Sequence, residues 1–156
     1  MLEYDFDNSL GYWLCSTSHA LEQLMNQKLQ PEGITYRQCQ VLAWLALEGD
    51  SCQADLAEKM KVEPPTLVGI LDRMEREGWI SREGCSEDRR RKIIRPLDRA
   101  RPVWARIVKC ANEVRTLAAE GLSAEEVSQL QDLLSRVRTN LEAALGVPQP
   151  LAGGRN

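Results

Sequence analysis

Apolar residues recur every three or four positions through most of this chain, which is the period of amphipathic α-helices. The pattern predicts a first helix over residues 9–29 and, after a break at Gly33, a second helix over residues 36–47. Thr35 is the expected N-cap of the second helix, and Gln38 is its capping-box partner. The apolar positions are Leu10, Leu14, Leu21, Leu24 and Met25 in the first helix, and Cys39, Leu42, Leu45 and Ala46 in the second.

A helix-turn-helix pattern follows. Ser51 is the expected N-cap of a short helix over residues 52–59, and a second helix is expected over residues 66–77. Pro64 and Pro65 precede the second helix, where a missing backbone donor costs little. One face of that helix carries Leu67, Ile70, Leu71 and Met74, and the other carries Thr66, Gly69, Arg73 and Arg76.

Two short strands with a turn between them are expected next. Residues 79–80 and 92–95 supply the strands, and residues 84–88 supply turn-forming side chains. Two helices and a hairpin with a basic tip are the parts that place one helix in the major groove of DNA and a cationic finger beside it. The pattern therefore predicts a winged helix-turn-helix lobe at residues 35–97.

The last third of the chain predicts two more helices. Asp98 can cap the first of them, and Ser123 with Glu126 forms a capping box for the second. The fold class is therefore mainly α with a small β-hairpin wing, with further helices at residues 1–34 and 98–145 and a disordered tail at 146–156. The apolar positions of the last two helices are Val103, Ile107, Cys110 or Ala111, Val114 and Leu117, and then Val127, Leu130, Leu134, Val137, Leu141 and Leu145.

Charge is distributed unevenly along the chain. The 156 residues carry a net charge of −3, which by itself argues against a nucleic-acid partner. Residues 82–101, however, contain eight basic and four acidic residues, so this window carries +4 and the remainder carries −7. A local cationic patch on an acidic body directs a polyanion to one surface and repels it elsewhere.

Several classes of protein are disfavoured. The first residues lack the pattern of a signal peptide, and no apolar run approaches the ~20 residues that span a bilayer, so we expect a cytoplasmic protein without a membrane partner. Five scattered cysteines without a C-x-x-C pair indicate reduced thiols. Because the sequence lacks a phosphate-binding glycine loop, a metal-spaced cluster and a nucleophile–base pair, we expect no catalytic residue, cofactor or metal.

Four segments of the predicted lobe carry its most specific sequence signals. They are Leu56-Ala57, residues 62–68 (VEPPTLV), residues 71–82 (LDRMEREGWISR) and residues 88–90 (DRR). In this register they resemble the MarR family of bacterial winged-helix transcriptional regulators, and within it the SlyA-like branch, over about residues 9–145. The resemblance implies a non-enzymatic regulator, often a repressor of stress genes. It also implies a homodimer whose terminal helices interlock and whose two lobes bind a pseudo-palindromic site in double-stranded DNA.

The resemblance and the side-chain chemistry together predict the contacts with DNA. Arg90 is the wing-tip arginine expected in the minor groove, and Asp88 is expected to orient an arginine by a charge-assisted pair. Thr66 and Arg73 are expected to contact bases or phosphates, with Pro65 beside them at the start of the helix. Phosphate contacts are expected from Arg89, Arg91 and Lys92.

Three further positions of the motif affect this interpretation. Arg76 contacts DNA or instead pairs with Asp72, one helical turn earlier. Ser51 is expected to cap its helix and to face a phosphate from the helix terminus. SlyA-like proteins tend to carry a basic residue where this chain has Gly69, and a glycine cannot bind a base edge. The preferred DNA sequence therefore differs, or recognition depends more on the wing and on DNA shape.

A small aromatic effector and two other functions remain alternatives. Trp13, His19 and Trp44 would form an effector pocket near the dimer interface, although core packing is the simpler role for the tryptophans. A thiol-based redox-sensing regulator would use Cys15 or Cys39, but Cys15 lacks a nearby Lys or Arg and is expected to be a buried apolar residue. A winged-helix module that binds another protein is the third possibility, and the basic wing argues against it.

Overall fold

The observed helices and strands confirm the predicted fold class. The computed structural model describes residues 3–84 and 91–146. A short 3₁₀ helix (Gln30–Glu32) ends at Gly33, whose φ of 70° is left-handed and suits a residue without a side chain. The α-helices are α1 (Leu10–Leu29), α2 (Tyr36–Glu48), α3 (Gln53–Lys59), α4 (Pro64–Arg76), α5 (Ala100–Ala118) and α6 (Ala124–Ala144), and the strands are β1 (Ser51–Cys52), β2 (Ile80–Gly84) and β3 (Lys92–Pro96).

Two predicted capping boxes fix the starts of α2 and α6. The backbone N–H of Gln38 donates to Thr35 Oγ1 at 3.2 Å, and the backbone N–H of Thr35 donates to Gln38 Oε1 at 2.9 Å. At α6 the backbone N–H of Ser123 donates to Glu126 Oε2 at 2.7 Å, and the reciprocal bond is also present. Each box satisfies backbone donors that have no partner within the helix, so the helix begins at the next residue.

The prediction that Ser51 caps a helix is wrong. Ser51 and Cys52 form β1, which pairs antiparallel with β3 so that Ser51 lies opposite Ile94. The Ser51 side chain is buried, and its Oγ donates to the carbonyl of Gly49 at 3.0 Å. Helix α3 begins one residue later than predicted, at Gln53, and its N-cap residue Cys52 supplies no side-chain hydrogen bond.

The sheet has three antiparallel strands in the order β1-β3-β2. Strands β2 and β3 pair along their whole described length, from Ile80 opposite Pro96 to Gly84 opposite Lys92. The hairpin is therefore longer than the two short strands expected, although its position is as predicted. Its connection, residues 85–90, lies outside the described residues.

The hydrophobic core lies in the first of two compact units, which extends to Val114. Each predicted apolar stripe from α2 to α5 contributes to it. Ile70 is only partly buried, Cys110 rather than Ala111 is the inward residue of α5, and Leu117 is exposed. The largest fully buried side chains are Leu29, Val41, Leu56, Leu67, Leu71, Met74, Ile80, Ile94, Ile107 and Val114.

The second unit begins at Arg115 and contains α6. None of the residues of α6 is buried, although its apolar positions follow the helical period. Leu130, Leu134 and Leu141 are 47%, 42% and 57% exposed. The apolar face of α6 is thus uncovered in the single chain. The predicted disordered tail lies outside the described residues beyond Gly146.

Within residues 3–84 and 91–146, no helix has the length and apolar character needed to cross a bilayer. Cys15 is exposed on α1, so the prediction that it is a buried apolar residue is wrong. The buried residues of α1, Met25 and Leu29, lie near its other end.

Candidate nucleic-acid interface

Helix α4 presents one apolar and one polar face, as its sequence predicts. Leu67, Leu71 and Met74 are fully buried. Their positions at i, i+4 and i+7 place the intervening residues on the solvent side. Proline occupies the first turn, where the free backbone donors of the helix would otherwise be. The predicted contact residues of this helix, Pro65, Thr66, Arg73 and Arg76, are all exposed.

Arg82 on β2 connects the hairpin to α4. Its Nε and Nη2 donate to Glu75 Oε2 at 3.0 and 2.6 Å, and its backbone N–H donates to Glu75 Oε1 at 3.1 Å. Its Nη2 also lies 2.6 Å from Asp72 Oδ1. Both carboxylates belong to α4, so one arginine holds the last two turns of that helix against β2.

The ion pairs at Arg82 shift the pKa values of the two partners in opposite directions, and each shift favours the charged form. Hydrogen bonding from Arg82 lowers the pKa of Glu75, and hydrogen bonding to Glu75 raises the pKa of Arg82. Asp72 pairs with Arg82 rather than with Arg76, one of the two alternatives for Arg76. Arg76 therefore remains exposed on the outer face of α4, with no ion pair to Asp72.

Two arginines of the hairpin segment, Arg91 and Arg95, pair with acidic residues. Arg91 Nη2 lies 3.6 Å from Asp55 Oδ2. Arg95 Nε lies 2.9 Å from Asp50 Oδ2, and its Nη1 lies 3.5 Å from Glu83 Oε2. All these groups are about half exposed, so the pairs hold the hairpin to α3 and to the end of α2 while remaining accessible to solvent. The local positive charge predicted for this segment is thus partly neutralised within the lobe.

Three residues that the sequence predicts to contact DNA, or to orient such a contact, belong to the connection of the hairpin. Asp88, Arg89 and Arg90 fall within residues 85–90, outside the described residues, so their roles stay predictions. The structure does describe the two strands that lead to the tip, and Gly84 and Lys92 form their last pair. Lys92, predicted to contact a phosphate, is exposed at that end of β3.

The thiols of the lobe differ in acidity. Burial raises the pKa of Cys39 to about 11, and the nearby Cys110 adds to the shift. Burial also acts to raise the pKa of Cys52, but hydrogen bonds from Arg91 and from the first backbone amides of α3 outweigh it, so this pKa is lowered. At neutral pH Cys39 is therefore a protonated, buried thiol, and it makes a poor oxidant sensor.

The three residues predicted to line an effector pocket lie in different surroundings. Trp13 is 55% exposed, donates from Nε1 to the carbonyl of Asp7 at 3.0 Å, and contacts the ring of Tyr12. Trp44 is partly buried against the core, with Lys59 Nζ 5.5 Å from its ring centroid. His19 is exposed on α1. Trp13 and Trp44 contact different residues, and these contacts do not bring the two side chains together with His19 in one pocket.

An apolar cavity of about 230 Å³ lies elsewhere, between α2, the end of β3 and the start of α5. Trp104 forms part of its wall, and Asp98 and Arg101, paired at 2.9 Å, lie at its edge. Sequence reasoning missed this cavity because its walls come from segments about 55 residues apart. Its lining residues are Leu42, Leu45, Ala46, Pro96, Leu97, Asp98, Ala100, Arg101 and Trp104. In residues 3–84 and 91–146, no group of three or more metal-ligating side chains is present.

Comparison with known proteins identifies the fold and the family. A MarR family model matches residues 34–92. The structure of the transcriptional regulator PA3341 is 32% identical to this chain, with a TM-score of 0.76, over 86% of this chain and 99% of that protein. Wild-type MarR from E. coli in its apo form is 23% identical, with a TM-score of 0.75, over 87% of this chain and 98% of that chain.

A cysteine-to-serine mutant of E. coli MarR, complexed with operator DNA, is also similar. It is 23% identical, with a TM-score of 0.71, over 82% of this chain and 92% of that chain. At 23% sequence identity, this similarity shows only that the two proteins share a fold. The match to PA3341 is closer and covers nearly all of that protein, and the family model falls on α2, α3, α4 and the hairpin. The chain therefore belongs to the MarR family of transcriptional regulators.

Proposed function

We propose that this chain is a sequence-specific DNA-binding regulator that binds pseudo-palindromic double-stranded sites as a homodimer. The observation that carries the proposal is the exposed outer face of α4, with Thr66, Arg73 and Arg76, beside the paired strands of a basic hairpin. A helix and a β-ribbon of this kind fit the major groove and the adjoining minor groove. A MarR protein with the same fold has been solved in complex with operator DNA, which supports DNA binding by this chain.

Each predicted residue has a proposed role in the complex. Thr66 and Arg73 contact base edges or phosphates from α4, with Pro65 beside them at the helix start and Arg76 one turn further on. Arg90 enters the minor groove, oriented by Asp88. Arg89, Arg91 and Lys92 contact phosphates, and Asp55 holds Arg91 in place for that contact. Ser51 is buried in β1, so we assign it a supporting role under the wing instead of a phosphate contact.

The proposed dimer rests on the uncovered apolar residues of α6. A contiguous apolar face on a soluble chain is a strong indication of an interaction surface. The face of α6 repeats Leu130, Leu134 and Leu141 at helical spacing, which suits packing against another helix. A second copy of this chain supplies such a helix, and a two-fold dimer would match the symmetry of a palindromic site.

A small aromatic effector is the proposed control. Trp13, His19 and Trp44 remain the sequence-based candidates for its pocket, but the cavity bordered by Trp104 offers a better site. Its walls are apolar, and the guanidinium of Arg101 at its edge could pair with an acid group of the ligand. Because the cavity is lined by the end of β3, a bound ligand would change the position of the wing.

The redox alternative is weakened at one of its two cysteines. Cys39 is buried and its pKa is raised to about 11, so this alternative rests on the exposed Cys15. It predicts that a Cys15→Ser variant keeps its DNA affinity under peroxide while the parent loses it. A winged-helix module for a protein partner gains no support from a specific contact in the structure.

Binding to DNA can be tested by fluorescence anisotropy with duplexes from the region upstream of the protein's own gene, over a series of salt concentrations. We expect selective binding that weakens as salt rises, because phosphate contacts release counterions. Arg90→Ala should lose about ten-fold or more in affinity, in line with ~1–3 kcal/mol for a specific groove contact. Arg136→Ala removes an exposed arginine of α6 and should bind as the parent does.

Either of two results would overturn the proposal. One is an affinity that ignores salt and survives Arg90→Ala, which would favour a protein partner. The other is the absence of selective binding at low salt by protein that circular dichroism finds folded and that carries no bound ligand.

A further inference from the structure

Gly69 lies in the middle of α4, where the fold gives no reason for a glycine. It has ordinary helical backbone angles, and a Cβ added to it would meet no heavy atom within 4 Å. Gly78, by contrast, has a φ of +72°, and a Cβ there would crowd Arg99 at 3.2 Å. Within a helix, glycine lowers the stability more than any other residue except proline. Neither backbone strain nor packing within the chain therefore explains Gly69.

The residues one turn away from Gly69 form the outer surface of the recognition helix. Pro65 and Thr66 lie four and three residues before it, and Asp72 and Arg73 lie three and four residues after it. All four are exposed. Asp72 is turned to Arg82 on β2, with 2.6 Å between their charged groups. Because Gly69 has no side chain, it forms the floor of a shallow notch in this surface, with Pro65 and Thr66 on one side and Arg73 on the other.

We propose that this notch makes Gly69 a specificity-determining residue that accepts the C5-methyl group of a thymine in the major groove. The proposal rests on the DNA-binding function proposed above. A position without Cβ allows the backbone to approach a ligand closely. Thymine alone presents a methyl group in the major groove, and apolar side-chain atoms such as the threonine methyl are its usual partners. A cytosine at the same position would leave the notch empty.

The side chains around the notch also determine the register of the contact. Arg73 is long, exposed and one turn beyond Gly69, so it can bind a guanine or a phosphate next to the thymine. The Arg82 fork holds the end of α4 to β2, which fixes how deeply the helix and its notch enter the groove. Gly69 therefore adds one apolar contact to a surface that otherwise recognises DNA through charged and polar groups.

The test uses the duplex that the parent protein selects from a randomised double-stranded library. Each thymine of that duplex is replaced in turn by uracil, which removes only the C5-methyl group. At one position in each half-site we expect the parent to lose affinity about four-fold, the value of one buried methyl group. On the thymine duplex, Gly69→Ala should lose about ten-fold, because its own methyl group occupies the notch.

The two changes should compensate when they are combined. On the duplex with uracil at the sensitive position, the loss caused by Gly69→Ala should shrink to about two-fold or less, since only one methyl group then enters the notch. Gly69→Ala should also raise the Tm by roughly 2–4 °C, because alanine favours the helix. Gly11→Ala makes the same change in α1, where a Cβ meets only Ser9 Oγ at 3.8 Å, and should leave DNA affinity unchanged.

The possible failures are distinguishable. If the parent selects no sequence, the DNA-binding function fails and this inference fails with it. If the parent selects a sequence but no thymine is sensitive to uracil, the methyl notch is wrong while DNA binding stands. The same holds if Gly69→Ala loses equal affinity for the thymine and uracil duplexes, or binds both as the parent does.

Discussion

The basic residues of the lobe fall into two groups with different roles. Arg82, Arg91 and Arg95 pair with carboxylates of the lobe, and these pairs position α4 and the hairpin. Arg73, Arg76 and Lys92 are exposed, and among the described residues no ion pair holds them. The pairs of the first group hold the shape of the surface, and we propose that the residues of the second group supply charge for phosphates, while Arg91 does both. A count of arginines in the sequence could not separate them.

Replacement of Arg82 should destabilise the lobe. Its side chain is only 21% exposed, and Arg82→Met leaves Glu75 and Asp72 without their partner. We expect the free energy of unfolding in urea to fall by about 1–3 kcal/mol, the usual value for a hydrogen-bonded charge. Arg106→Met is the matched control, because Arg106 pairs with Glu32 at 3.1 Å on a more exposed surface. That change should cost less than about 1 kcal/mol. Equal losses would contradict the assigned role.

The pair of Glu75 with Arg82 should also make stability depend on pH. The pKa of Glu75 is lowered in the folded state from an ordinary value of 4.5, so its contribution is complete above that pH. It is lost as the pH falls through the lower pKa of the folded state. Between pH 5 and pH 3 the parent should therefore lose more stability than Glu75→Gln does, as measured by urea unfolding at each pH. Parallel pH profiles for the two proteins would contradict this prediction.

At the scale of elements, local sequence signals predict the helices well. The capping boxes at Thr35 and Ser123 and the prolines in the first turn of α4 act within one turn of the chain, so they can be recognised without knowledge of the fold. Strand β1 could not be predicted, because Ser51 and Cys52 become a strand only by pairing with β3, about 40 residues away. The exposure of the Cys15 side chain was not predicted for a similar reason, because burial along α1 depends on which segments pack against that helix.

The candidate site likewise combines features that the local sequence predicts with features that depend on the tertiary arrangement. The outer face of α4 follows from the helical period, and its predicted residues are exposed as expected. The fork from Arg82 to Glu75 and Asp72 depends on where β2 lies against α4, which no local pattern reveals. Two acids three residues apart near the end of α4 were its only sequence signal. The cavity beside Trp104 likewise requires the tertiary arrangement of α2, β3 and α5.

The capping box of α2 should be measurable as a property of that helix. Thr35→Ala removes the acceptor for the backbone N–H of Gln38, and we expect a loss of about 1 kcal/mol in the free energy of unfolding. Thr17→Ala removes the same hydroxyl from an exposed position within α1 and should be neutral or slightly stabilising. If the two variants unfold alike in urea, the box does not stabilise α2.

At the scale of the whole molecule, the exposed leucines of α6 predict self-association. Leu134→Glu places a charge in the apolar face, so we expect it to shift the protein from dimer to monomer in sedimentation equilibrium. Ser128→Glu adds the same charge on the opposite side of α6 and should leave the dimer intact. A parent protein that sediments as a monomer would contradict the proposed dimer, and the apolar face would then need another occupant.

Charge also acts at this scale. Residues 82–101 carry a net charge of +4 while the remainder of the chain carries −7, so a DNA duplex is attracted to that segment and repelled elsewhere. Internal pairing of Arg91 and Arg95 reduces that attraction without removing it, because both pairs stay accessible to solvent. DNA binding should therefore depend on a limited number of phosphate contacts from exposed residues such as Lys92 and Arg76.

Selection of DNA by the purified parent protein from a randomised duplex library is the most direct test of DNA recognition by α4 and the wing. We expect an enriched motif made of two inverted half-sites whose centres lie about 10–10.5 base pairs apart, one turn of the double helix. Such a motif would require both a DNA-reading lobe and a two-fold dimer. An unenriched library from folded, ligand-free protein would contradict the assignment of α4 and the wing as a DNA-binding surface.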